Sequence, residues 1–158
     1  MRRAWRAALA AALALALLPV GPARAADPAR VTVTLSVQGG TAALHGLDLE
    51  LALPAGAAVE HEARSGRIKP GAVALLGKTS SAVLEGKFVP SRKAPSVRVL
   101  VASLAPLPRG PILAVTLTVP GGVPAPSDFE LARGLVAGED GRPAPGAMLV
   151  VAEVRPAP

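Results

Sequence analysis

An all-β chain folded as one antiparallel β-sandwich of about nine strands is what this sequence predicts, and three observations predict it. After residue 26, apolar residues recur at every second position in short runs, the period of a half-buried strand. The runs are separated by Gly, Pro and Ser/Lys punctuation, the rhythm of many strands and few helices. Gly and Pro together make up 33 of the 158 residues, enough for many turns but below the share of roughly a quarter or more that marks low complexity.

The first strand is read over 31–37, where Val31, Val33, Leu35 and Val37 share one face and Thr32, Thr34 and Ser36 the other; Gly39-Gly40 closes it. The second, over 47–53, places Leu47, Leu49, Leu51 and Leu53 inward and Asp48 and Glu50 outward before Pro54-Ala55-Gly56 ends it. Leucine favours helices, but in a helix these four would scatter around the axis, so the period decides. Seven more strands are expected over 58–62, 72–76, 82–89, 97–103, 112–119, 128–136 and 148–154. The small residues of 72–76 fit a short helical turn as well. Segments 120–126 and 138–143 read as loops, with Asp140-Gly141 as a turn pair. No repeat and no linker divides the chain, so 26–158 is read as a single domain packed as two antiparallel sheets.

Residues 1–25 read as a signal peptide. Arg2, Arg3 and Arg6 form a positive start, 7–18 is an unbroken Ala/Leu stretch, and Ala23-Arg24-Ala25 supplies an A-x-A cleavage site. The stretch is too short for the roughly 20 apolar residues that span a bilayer, so the mature chain is expected to be exported, extracellular or periplasmic, with no membrane span. Its last residues, 153–158, carry no hydrophobic tail or sorting pattern.

Removing Arg2, Arg3, Arg6 and Arg24 from the 17 basic residues leaves 13 against 11 acidic ones, a net charge of +2. With no Lys/Arg run beyond Arg92-Lys93 and its only Trp, Trp5, in the leader, the domain lacks both the phosphate footprint and the stacking platforms of a nucleic-acid binder. The absence of cysteine excludes disulfides, thiolate metal sites and haem attachment through Cys.

Chemical motifs are sparse. Gly77-Lys78-Thr79-Ser80 resembles the end of a phosphate-binding loop, but that loop needs a Gly at 72, where the chain has Ala72. Glu60-His61-Glu62, with His45 the only other histidine, is the densest polar cluster. On a straight strand Glu60 and Glu62 face one way and His61 the other, so gripping an ion would need a bend or the arrival of His45; the donor set would then suit calcium better than zinc. Neither Ser36 nor Ser65 sits in a nucleophile elbow, and no pair of acids stands out for glycoside hydrolysis. No catalytic, cofactor or metal residues are therefore assigned, and the chain reads as a non-enzyme. Sugar binding by ring stacking would have to rely on Phe88 or Phe129, which read as core fillers in strand-like runs.

Taken together, the strands over 31–37 and 47–53 with the Pro54-Ala55-Gly56 turn, the late strands over 97–103 and 112–119 joined through Gly110-Pro111, and Phe129-Glu130-Leu131 followed by the 138–143 turn resemble the cohesin-like domain family. The resemblance spans nearly the whole mature chain and rests on pattern. It implies a secreted, nine-stranded jelly-roll sandwich that recognises another protein on one sheet face, in well-studied members a calcium-loaded dockerin module. The chain departs from those members in its lack of aromatics and Asn and in its Pro-rich loops. The expectation is thus an exported, non-enzymatic protein-interaction or adhesion module with an extracellular or envelope protein as partner; the alternative is a carbohydrate- or polysaccharide-binding sandwich. The sequence singles out no partner-binding residue.

Overall fold

The computed structural model describes residues 27–77, 81–91 and 94–158. The signal peptide expected over 1–25 (with Trp5), the Lys78-Thr79-Ser80 part of the phosphate-loop lookalike and Arg92-Lys93 lie outside the described residues.

Nine strands form in chain order: β1 (Ala29–Gly39), β2 (Leu44–Ala52), β3 (Ala58–Val59), β4 (Val73–Leu75), β5 (Ala82–Val89), β6 (Ser96–Leu107), β7 (Gly110–Val119), β8 (Glu130–Ala137) and β9 (Ala147–Pro156). They make two antiparallel sheets. One has the order β3-β7-β1-β9 with β4 also on β7; the other has the order β5-β6-β2-β8. The sandwich expected from the period-two runs is the architecture found.

The core lies between the sheets. From β2, Leu47, Leu49 and Leu51 point inward and are at most 1 % exposed, facing Val31, Val33 and Leu35 of β1 in a single apolar cluster. Burying each such side chain contributes about 1.5–3 kcal/mol, and the alternation that buries the leucines turns Asp48 and Glu50 outward.

Four local expectations need correction. The third strand covers Ala58–Val59 and not 58–62, because the chain turns back at once: the Glu62 N–H donates to the Arg67 carbonyl and the Gly66 N–H to that of Glu62. The strand expected over 72–76 forms but is shorter, Val73–Leu75, held on β7 through Val73 to Val115 and Leu75 to Leu113. The eighth strand begins at Glu130, two residues late. A 3-10 turn at Pro126–Asp128 precedes it, with the Ala125 N–H donating to the Asp128 carboxylate, so Phe129 sits ahead of the strand. Thr34 and Ser36, expected on the open face of β1, are also buried, because β1 is flanked on both sides by β7 and β9.

Candidate functional site

The residues that drew attention in the sequence do not come together. His61 turns its ring onto Phe88, centroids 4.6 Å apart, and its Nδ1 lies 2.8 Å from the Val59 carbonyl. Glu60 pairs with Arg30 and Glu62 accepts a hydrogen bond from the Ser65 hydroxyl, so the three side chains of the cluster look to three different neighbours. His45 lies on the other sheet, its Nδ1 3.1 Å from the Ser103 carbonyl. Among the described residues no group of three His, Asp or Glu could hold a metal ion. Phe88 and Phe129 are both buried in the core, so neither offers a ring face for a sugar.

What the fold does assemble is the outer face of the four-stranded sheet. Its registers align side chains in rows across the strands in the order β5, β6, β2, β8. One row is Val83, Ala102, Gly46 and Ala137; the next is Glu85, Leu100, Asp48 and Leu135; the third is Lys87, Arg98, Glu50 and Arg133. The first two rows, with Leu104 beyond them, carry four of the six large apolar residues that the described chain exposes: Val83, Leu100, Leu104 and Leu135. Leu104 is 90 % exposed and Val83 64 %, values opposite to those of a core residue. Together with His45, Asp48 and Ser103 these residues line an open depression of about 590 Å³.

The third row is held in place by ion pairs. Glu50 accepts hydrogen bonds from the Ser96 hydroxyl and from Arg98 Nε, each at 3.0 Å, and Arg98 Nη2 lies 3.0 Å from the same carboxylate. Asp48 receives Arg133 at 2.9 Å. The Ser96 hydrogen bond, followed by that of Arg98, holds the Glu50 carboxyl below its ordinary value. Chemically the face is an open, shallow apolar patch abutting a braced charged strip.

Sequence reasoning passed over these residues although a signal was there. Leu100 and Leu104 share the phase of Arg98, Val83 that of Glu85 and Lys87, and Leu135 that of Arg133. Apolar residues standing in the charged phase of an alternating strand mark a patch that the core does not bury.

No family model, no curated protein and no solved structure matches the chain. Among the described residues no helix is long and apolar enough to cross a membrane.

Proposed function

We propose that this protein is an exported, non-enzymatic interaction module of cohesin-like character that docks another extracellular or cell-envelope protein on the outer face of its β5-β6-β2-β8 sheet. The observation that carries the reading is the convergence of Val83, Leu100, Leu104 and Leu135 on one face, where they cover no part of the core. Contiguous exposed apolar surface rimmed by polar groups is characteristic of protein interaction sites. The histidines are separated on different elements and each lies against a backbone carbonyl, which fits a binding role better than acid–base chemistry. Burial of Phe88 and Phe129 removes the stacking contact on which the polysaccharide alternative depended.

The test immobilises residues 26–158 beside the variant Leu100→Asp with Leu104→Asp and passes secreted and envelope extract from the host over both, with calcium and then with EDTA. A protein retained by the parent and lost on the variant is the expected result, with the variant still unfolding cooperatively at a somewhat lower midpoint, because the new carboxylate at position 100 stands between Glu85 and Asp48. Loss in EDTA would point to a dockerin-type partner. Equal retention on both columns, or retention of polysaccharide alone, would contradict the reading.

A further inference from the structure

The charged strip of the docking face is layered. Arg98 and Arg133 keep side-chain exposures of 62 % and 64 %, whereas the carboxylates that brace them, Glu50 and Asp48, keep 25 % and 38 %. The guanidinium groups therefore form the outer surface and the carboxylates lie beneath. Hydrogen-bonding capacity is divided the same way. Both oxygens of Glu50 are taken, one by Ser96 and one by Arg98, while Arg98 Nη1 and the Nε and Nη2 of Arg133 have no partner among the described residues. Lys87 stands opposite Arg98 on β5, exposed and with three further donors. Acidic groups sit at the margins, Glu85 on β5 and Glu130 on β8, one row to either side.

We infer that the segment docking on this face is acidic as well as apolar: it places apolar side chains over Leu100, Leu104 and Leu135 and one or more carboxylates over Arg98, Arg133 and Lys87. This rests on the reading of the face as the docking surface and adds the chemistry of its partner. Arginine forks with free N–H groups match carboxylates in charge and geometry. A second strip of donors would leave those N–H groups unpaired and set like charges against each other. Leu100 and Leu135 lie one row from Arg98 and Arg133, two residues along a strand or about 7 Å, and Leu104 lies six residues from Arg98, about 20 Å, so a single extended segment of about seven residues reaches all of them. Glu50 and Asp48 are positioning residues that fix where the guanidinium groups point.

The probe is a phage-displayed library of random 16-residue peptides selected on the immobilised mature chain. Clones that lose binding to the Leu100→Asp, Leu104→Asp variant are the face binders. The expected result is that face binders are enriched in Asp and Glu over the unselected library, weaken as salt rises, and lose about tenfold in affinity when Arg98→Glu and Arg133→Glu are combined. Glu50→Gln should weaken them less than the charge reversal while the variant, with a modestly lowered unfolding midpoint at neutral pH, still unfolds cooperatively, which separates positioning from folding. Face binders that are neutral or basic, or that ignore the charge reversal, would overturn the acidic partner and leave the docking face standing. Self-association of the chain that disappears in the leucine variant would assign the face to a second copy and overturn the proposal. Recovery of no face binders would count against the docking face itself.

Discussion

Glu50 shows how one outward residue of a core strand can organise a surface. Its neighbours Leu49 and Leu51 are fully buried, so the strand is firmly placed, and the carboxylate rises between β6 and β8 where Ser96 and Arg98 meet it, while Arg133 opposite on β8 turns its guanidinium to Asp48. Its pKa is held below 4.5, first by the Ser96 hydroxyl and then by Arg98. A carboxylate whose pKa is lower folded than unfolded adds stability that is complete above the ordinary value and is lost as pH falls through the folded one. The stability difference between the parent and Glu50→Gln should therefore hold steady above pH 4.5 and shrink as the pH drops below it. Unfolding midpoints followed from pH 7 to pH 3 check this; a difference that does not change over that range would show that the carboxylate is not braced.

Elements were legible in proportion to how much their own residues decide them. The four alternating leucines from Leu47 announce β2 unaided, and Val97, Val99 and Val101 announce β6, because the period that defines such a strand is written in its side chains. By contrast, the small residues of 72–76 leave strand and helical turn both open until β7 pairs with Val73–Leu75, and Glu60 leaves the third strand because a turn over 62–66 draws the chain back. Those outcomes depend on partners distant in sequence, which local periodicity does not register. The proposed docking face occupies a middle position: its residues are visible as apolar side chains in the charged phase of their strands, but their convergence needs the cross-strand register. Turns contribute their own constraint. Gly39, at the end of β1, has a φ of +68°, and a Cβ there would come within 2.4 Å of the Gly146 carbonyl. Gly39→Ala should cost at least about 1 kcal/mol, from the left-handed backbone and the clash together. A denaturant melt in which the variant matches the parent would mean that the β1–β2 and β8–β9 loops do not meet as described.

At the scale of the whole molecule, the two sheets have different outer faces. On the β3/β4-β7-β1-β9 sheet Thr116, Thr32 and Arg155 form one row and Ala114, Thr34 and Glu153 the next, and its large exposed apolar residue is Met148. The β5-β6-β2-β8 sheet gathers the exposed leucines and the braced arginines. A sandwich whose core is already complete has no structural use for that second set, so the asymmetry between the faces is the basis of the functional account. Side-chain footprinting by hydroxyl radicals tests it most directly, on residues 26–158 alone and with the protein they retain from the envelope extract. Leu100, Leu104 and Leu135 should lose reactivity in the complex while Met148, 60 % exposed on the opposite sheet, keeps it. Protection of Met148 with unchanged labelling of the three leucines would contradict the account and move the interaction to the other face.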